Sequence, residues 1–180
     1  MIRATYLLVL MFLLSAGTAA PEEKKDPPLF RLGMTQTEMF AAFGEPESYL
    51  NVRTQGHLSR KEFITISGRC MCRPLYNRKT KANEYEIVVF ERGDESASRL
   101  HPTIRIEEVR FRLDRNMTEE QAAADIDEIR MECNGQCALL PPRHVGERRI
   151  GRGGSNVQFI FHYGDNRSLT DISMAPVAPN

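Results

Sequence analysis

The sequence predicts an α+β protein in which short helices pack on an antiparallel sheet. Two stretches begin as helices do, with a threonine followed three residues later by Glu or Gln: Thr35 with Glu38, and Thr118 with Gln121. In this capping box each side chain accepts a backbone N–H that the helix itself leaves unpaired. Elsewhere, short runs rich in β-branched and aromatic residues alternate with turn residues, which is typical of antiparallel strands.

The first helix is predicted over residues 35–43. Gly44 is suited to end it, and Pro46 cannot continue it. Met39, Phe40 and Phe43 form one apolar stripe that a core would cover.

The second helix is predicted from Thr118 to Cys133 or Asn134, where Gly135 is suited to end it. Its apolar positions recur at spacings of four, three and four residues, which is the helical period. These positions are Ala122, Ile126, Ile129 and Cys133.

Six segments have strand character, and the strongest covers residues 85–90. The others are 48–52, 63–66, 103–113, 157–161 and 169–174. In the fourth segment Ile106 and Val109 fall on opposite phases of the period-two pattern, so we expect a β-bulge or a bend at Glu107-Glu108. Arg110, Arg112 and Asp114 then point to solvent. Residues 77–83, 93–102 and 139–154 are predicted loops, because they are rich in charged, Gly and Pro residues.

The N-terminus has the pattern of a secretory signal peptide. A short basic start precedes an apolar run over residues 4–14 and a small-residue stretch, with cleavage expected after residue 19. Residues 20–30 are then a flexible leader, 31–175 a single α+β domain and 176–180 a tail. A secreted or periplasmic protein follows from this pattern, with no integral membrane span after cleavage.

An internal duplication is one interpretation of the two helix starts. The segments Met34-Thr35-Gln36-Thr37-Glu38 and Met117-Thr118-Glu119-Glu120-Gln121 match in kind at every position. Strand-like runs follow both, which suggests repeat units over 31–114 and 115–175. The alternative is a favourable helix start that recurs by chance.

Composition and motifs disfavour several functional classes. The 180 residues contain 24 basic and 24 acidic residues, so no global basic excess points to nucleic acid. No H-E-x-x-H, G-x-S-x-G or P-loop pattern occurs. We therefore expect no catalytic residues and no cofactor.

The four cysteines are the sharpest chemical signal: Cys70, Cys72, Cys133 and Cys137. In an exported chain they predict two structural disulfides. A strand pair at i, i+2 matches the spacing of a helix pair at i, i+4, so geometry favours two strand-to-helix bridges, although connectivity cannot be read from sequence. A four-thiolate zinc site and a redox pair are the alternatives, but the spacings fit zinc poorly.

An arginine cluster in the predicted loop 139–154 is a candidate anion-binding or partner-binding site. It consists of Arg143, Arg148, Arg149 and Arg152. Guanidinium groups beside glycine-rich backbone are suited to hold an acidic surface. The alternative is a solvated connection. A second basic run consists of Arg69, Arg73, Arg78, Lys79 and Lys81.

Residues 33–38 and 43–46 resemble the opening of the SmpA/OmlA (BamE-like) domain, which begins with a "GMT…E…LG-P" helix and continues into antiparallel sheet. The matching residues are Gly33, Met34, Thr35, Glu38, Phe43, Gly44, Glu45 and Pro46. The related β-lactamase inhibitory protein is similar to two such units in tandem. BamE proteins are lipoproteins of the outer-membrane assembly machinery, whereas this chain lacks the lipid-bearing cysteine. The resemblance implies an envelope or secreted protein-binding scaffold without catalytic residues.

Together these observations predict a non-catalytic protein-binding or scaffold module of the cell envelope or extracellular space. An inhibitor of a secreted enzyme is one version of it. The alternative is a thiol-based redox or zinc-binding protein that uses the four cysteines.

Overall fold

The computed structural model describes residues 28–66, 70–92 and 105–177. The predicted signal peptide, most of the leader and of the tail, and the predicted loop 93–102 lie outside these residues. The described helices are α1 (Gln36–Phe43), α2 (Arg60–Ile66), α3 (Glu119–Asp125) and α4 (Asp127–Cys133). The described strands are β1 (Ser48–Asn51), β2 (Gly56–Ser59), β3 (Cys72–Lys79), β4 (Glu84–Arg92), β5 (Arg105–Leu113), β6 (Cys137–Leu140), β7 (Glu147–Arg152), β8 (Val157–Tyr163) and β9 (Leu169–Pro176).

All nine described strands form one antiparallel sheet in the order β2-β1-β3-β4-β5-β9-β8-β7-β6. Two meanders meet at its centre, where β5 pairs with β9 in a register that places Phe111 opposite Ile172. We call α1–β5 the N-terminal half and α3–β9 the C-terminal half. The predicted α+β class, with short helices on an antiparallel sheet, is confirmed.

The main core lies between the helices and one face of the sheet. Alternate residues of each strand point to this face, so Ile87, Phe111 and Phe159 meet Met39 of α1 and Ile129 of α4. We call this side the helix face. The opposite side, on which no described helix packs, is the helix-free face, and it buries a smaller cluster of Leu50, Leu75 and Val88.

Both predicted capping boxes are present. Thr35 accepts the backbone N–H of Glu38, whose carboxylate accepts the Thr35 N–H at 2.7 Å. Thr118 and Gln121 are arranged in the same way at the start of α3. Because each box satisfies orphan donors locally, these short helices begin where the sequence predicts.

The predicted strand over residues 63–66 is wrong, because this segment belongs to α2. A third capping box precedes it: the Ser59 N–H donates to Glu62 Oε2 at 2.7 Å, and the Glu62 N–H donates to the Ser59 hydroxyl at 3.3 Å. The Phe63 ring stacks on Tyr49 of β1 with centroids 3.8 Å apart. The hydrogen-bonded N-terminus of α2 and the buried aromatic contact therefore stabilise a helix here, despite the strand preference of the β-branched residues.

The second predicted helix is divided in two at Ile126, which has extended backbone angles. The predicted apolar stripe is nevertheless confirmed, since Ala122, Ile126, Ile129 and Cys133 are all buried. The break places the Asp125 carboxylate within 2.7 Å of the Tyr85 hydroxyl, which anchors the helix pair to β4.

The sheet corrects two predicted loops and confirms one predicted bulge. Residues 77–79 of the predicted loop 77–83 belong to β3, so only residues 80–83 connect β3 to β4. Residues 139–154 contain half of β6 and all of β7, which pair with each other. In the ladder between β4 and β5, Phe90 lies opposite Glu108 and Glu91 opposite Ile106, so Glu107 is the extra residue. Because of this extra residue, Ile106 and Val109 both point into the core on the helix face.

Two predicted boundaries need correction. Phe30, assigned to the leader, is buried in the core and stacks on Phe43 with centroids 3.9 Å apart. Pro176, assigned to the tail, ends β9. No helix in the described part of the chain is long and apolar enough to cross a bilayer.

Candidate functional site

The cysteines form two local disulfides, Cys70–Cys72 and Cys133–Cys137. The predicted strand-to-helix pairing is therefore wrong. Asn134 and Gly135 both have positive φ, and this turn brings Cys137 back to within 4.8 Å of Cys133, measured between Cα atoms. Cys70 and Cys72 lie 5.3 Å apart in the same measure.

The topology separates the two disulfides. Cys72 begins β3, and Cys137 begins β6 at the far edge of the sheet. Six strand spacings separate these strands, or about 29 Å. Within residues 28–66, 70–92 and 105–177, no three or more His, Cys, Asp or Glu side chains are grouped to hold a metal ion.

The predicted arginine cluster is divided between the two faces, because successive residues of β7 point to opposite sides of the sheet. On the helix face, Arg148 forms an ion pair with Glu119 of α3 at 2.6 Å. On the helix-free face, Arg149 is buried; its Nε donates to Gln158 Oε1 at 2.8 Å and its Nη1 to the carbonyl of Pro141 at 2.7 Å.

The other two members of the cluster lie at the ends of this hairpin. Arg152 is exposed on the Arg148 side of β7, and Arg143 lies in the loop before that strand. Arg143 and Arg149 line one cavity of about 460 Å³ on the helix-free face, together with Arg73. The structure thus brings together two of the four arginines and adds one from β3.

A network of charged side chains crosses the helix-free face near this cavity. Arg110 lies 2.9 Å from Glu108 and 3.6 Å from Asp171 of the neighbouring strand β9. On the N-terminal side, Glu86 lies 3.9 Å from Arg112 and 3.7 Å from His57. Opposite charges on adjacent strands hold one another in defined rotamers.

The Phe90 ring lies between two guanidinium groups of this face. The Arg110 Cζ is 5.0 Å and the Arg73 Cζ 6.0 Å from the ring centroid. Arg73 Nε is buried without a hydrogen-bond partner, and no described residue forms an ion pair with this side chain. Arg110 is fixed by carboxylates, whereas Arg73 lies over the ring and close enough to Glu91 for the two charges to interact.

A serine between a histidine and a carboxylate also lies on this face. The Ser173 hydroxyl donates to Glu108 Oε1 at 2.7 Å and lies 3.0 Å from His162 Nε2. Ser173 is 1% exposed. A nucleophilic serine must give its proton to a base and present its oxygen to a substrate. This hydroxyl donates to a carboxylate, but its burial keeps the oxygen from a substrate, so the contact holds β5, β8 and β9 together.

A polar cluster lies under α1 on the helix face. Glu91 accepts a hydrogen bond from the buried side chain of Gln36 at 3.3 Å. Burial raises the pKa of Glu91, and the Gln36 hydrogen bond and the nearby Arg73 charge oppose this rise only in part. Burial, reinforced by the Glu91 charge, raises the pKa of Tyr49 to about 12.

A groove of about 1100 Å³ lies on the helix face at the outer part of β3. One wall contains the aromatic side chains of Phe30, Phe43 and Tyr76, whose hydroxyl donates to the carbonyl of Gly44 at 3.0 Å. The opposite wall is formed around the junction of α3 and α4, from Ala124 to Arg130.

Sequence reasoning missed both the pairing of Phe90 with Arg73 and the groove. The alternating charges of β5 did indicate a polar face, because Arg110 and Arg112 share one phase of the predicted strand. No local pattern places a guanidinium of β3 over a ring of β4.

Neither a family model nor a curated protein matches the chain. Among solved structures, a DUF4309 family protein (YjgB) from Bacillus subtilis subsp. subtilis str. 168 is similar at 16% sequence identity, over 87% of this chain and 86% of that one, with a TM-score of 0.35. A TM-score of this size supports no inference about this chain.

Proposed function

We propose that the chain is an exported, non-catalytic protein-binding or scaffold module of the cell envelope or extracellular space, and that it binds its partner through the helix-free face. The observation that carries this proposal is the charged network around Phe90. It lies on a sheet face that no described helix packs on, and its members are cross-linked between strands.

Such a surface suits recognition for a physical reason. Arg110 is held by Glu108 and Asp171, so little rotamer entropy remains to be lost when a partner docks. Charges fixed on a rigid sheet discriminate between partners by electrostatic complementarity.

Export is supported by two independent features. The apolar N-terminal run has the length and the small-residue flank of a signal peptide. Both cysteine pairs are disulfide-bonded, which is typical of oxidising compartments. We place the protein in the periplasm or outside the cell.

The resemblance to SmpA/OmlA domains, arranged in tandem, belongs to the same proposal. Each half begins with a capping box and continues into a meander, and the last strands of the two halves pair with each other. A second helix, α2, also lies before β3. A duplicated scaffold would present one continuous sheet face to a partner.

Site-specific photo-crosslinking in the native host tests the binding face. A photoreactive amino acid at Glu86 or Arg112 reports on the helix-free face, and the same residue at exposed Glu120 of α3 is the matched control. We expect one discrete adduct from the first two positions, lost in an Arg110→Glu background, and none from the control. Equal labelling from all three positions would contradict the proposal.

N-terminal sequencing of the exported protein tests cleavage after residue 19.

A thiol-redox role is the second candidate, and the short Cys70–Cys72 loop favours it. A disulfide that closes three residues removes little entropy from the unfolded chain, so stability alone explains it less well than it would a long-range bridge. Alkylation of the protein in a graded glutathione buffer measures its potential. A value near that of the surrounding thiol pool supports exchange, whereas resistance to reduction supports a purely structural bond.

A further inference from the structure

Strand β3 has an open edge on its C-terminal side. The first half of β3 is covered, because β1 pairs with residues 72–75 and Ser48 lies opposite Leu75. Beyond Leu75, the described residues pair with β3 only on its β4 side. Residues 76–79 of β3 therefore lie at an edge, although β3 is an inner strand of the sheet.

The hairpin register identifies which backbone groups this edge presents. The Thr80 N–H donates to the Asn83 carbonyl at 2.8 Å, which makes Thr80 and Asn83 a hydrogen-bonded pair. Alternation along an antiparallel ladder then directs the N–H and C=O groups of Asn77 and Lys79 away from β4. No described residue pairs with these groups, and both residues are exposed.

The open edge borders the groove described above. Tyr76, Asn77, Arg78 and Lys79 all line it. Within the groove, the charged side chains of Arg78, Asp125 and Arg130 are each bound by neighbours: Arg78 by Glu128, Asp125 by Thr80 and Tyr85, and Arg130 by Asp127. Among the described residues, no ion pair engages the ammonium groups of Lys79 and Lys81.

We propose that this edge is a docking site for an extended acidic segment of a protein partner, which adds as an antiparallel strand beside β3 in continuation of β1. The backbone of the added strand both donates hydrogen bonds to and accepts them from the backbone of Asn77 and Lys79. The residues of the added strand that lie opposite Asn77 and Lys79 point to the helix-free side, where the Lys79 side chain also lies. They are acidic, because this side presents the Lys79 ammonium group to them. The alternate residues of the added strand enter the groove beside Phe43 and Tyr76, so they are apolar. This site goes beyond the helix-free face and does not depend on it.

The chain's own leader is a poor occupant of this edge. It carries Pro21 and Pro27, and Pro28 already lines the groove. Proline has no N–H to donate to a ladder, and prolines at both ends leave few residues for pairing. The proposal therefore commits to a separate protein segment.

The probe is the peptide Ac-EVEFEVE-amide, titrated by isothermal titration calorimetry against the full mature protein. In the proposed pose the glutamate N–H groups face β3, whereas the valine and phenylalanine N–H groups face away. N-methylation of the two central glutamates should weaken binding about thirtyfold, the loss of two ordinary hydrogen bonds. N-methylation of the two valines is the matched control and should leave binding unchanged. Equal binding of the two N-methylated peptides, or no binding of the parent peptide, overturns the proposal.

Protein variants and hydrogen exchange locate the contact. Lys79→Glu should weaken the peptide about fivefold, as expected for an exposed ion pair turned into repulsion, and Lys61→Glu on α2 is the matched control. On binding, the amides of Asn77 and Lys79 should gain protection while that of Arg78, already paired to β4, should not. Protection at β2 or β6 instead overturns the proposal. So does protection of Asn77 and Lys79 in the free chain that is lost when residues 20–27 are removed, since the leader would then be the occupant.

Discussion

The two halves of the sheet differ in how their helices reach the strands. In the C-terminal half, α3 and α4 adjoin at Ile126, and each strand from β6 to β9 pairs with its neighbour in sequence. In the N-terminal half, the β1–β2 hairpin is inserted between α1 and α2, and β1 covers only residues 72–75 of β3. The insertion widens the sheet and leaves an edge open beside it, so the less regular half contains the groove.

The halves are joined by a buried charge as well as by the strands β5 and β9. The Glu128 carboxylate of α4 accepts hydrogen bonds from both terminal nitrogens of Arg78 on β3, at 2.7 and 2.9 Å. It also accepts a hydrogen bond from the Phe30 N–H at 3.1 Å. Its side chain is 1% exposed. One carboxylate of the C-terminal half therefore holds both strand β3 and the segment at Phe30 that precedes α1.

Removal of this charge should give the largest effect. Glu128→Gln leaves the half-buried Arg78 beside a neutral amide, and we expect a loss of about 3 kcal/mol in the free energy of unfolding, measured by urea denaturation. The matched control is Glu120→Gln on exposed α3, which should change it by less than about 0.5 kcal/mol. A loss at Glu128 as small as that of the control would mean that this ion pair contributes little to holding the halves together.

The disulfides should rank next, with similar effects in the two halves. Paired serine substitutions at Cys70 and Cys72, or at Cys133 and Cys137, should each cost about 2 kcal/mol, because both bonds close short loops. A bridge between the halves would close about sixty residues and be worth roughly 4 kcal/mol. Non-reducing peptide mapping checks the connectivity, and a peptide that links the Cys70 region to Cys137 would contradict the local pairing.

Features that depend on neighbouring residues could be predicted from the sequence, whereas contacts between strands that are distant in sequence could not. The capping boxes at Thr35 and Thr118 and the extra residue at Glu107 depend on neighbours within a few residues. The disulfide pairing depends on which strands lie side by side, and the insertion of β1–β2 alters that order. A turn with positive φ at Asn134, compatible with the sequence Asn-Gly, was the local signal for the Cys133–Cys137 pair.

The candidate surfaces followed the same division. The period-two charges of β5 predicted a polar face, since Arg110 and Arg112 are neighbours in one strand. Adjacency in sequence predicts one cluster that contains Arg148 and Arg149, yet the pleat of β7 directs these two side chains to opposite faces. Composition predicts a strand over residues 63–66, although the spacing of Ser59 and Glu62 in the sequence is that of a capping box.

The third prediction compares helix caps between the halves. Ser59→Ala in the N-terminal half and Thr118→Ala in the C-terminal half should each cost about 1 kcal/mol. Thr37→Ala, at an exposed position inside α1, is the control and should be neutral or slightly stabilising. The Ser59 hydrogen bonds hold the pKa of Glu62 below its usual range, so NMR titration of Ser59→Ala should show that pKa rise. An unchanged Glu62 titration would mean that the cap does not form in solution.

The smallest expected effect is a gain in stability, and it concerns Glu91 in the N-terminal half. Burial raises the pKa of this carboxyl in the folded protein above its ordinary value of 4.5. The folded state therefore binds the proton more tightly than the unfolded chain does, and stability falls as the pH rises through the folded pKa. Glu91→Gln keeps the shape and retains a partner for Gln36, but it removes the charge.

We therefore expect Glu91→Gln to raise the melting temperature at pH 7 and to lose this advantage below pH 4.5, where the wild-type carboxyl is protonated in both states. Exposed Glu84→Gln is the control, and its difference from wild type should not follow this pH dependence. Thermal melts across this range decide the point. A substitution that destabilises at pH 7 would show that the Arg73 charge outweighs burial, and that the ionised carboxylate is the form that this half of the sheet is built to hold.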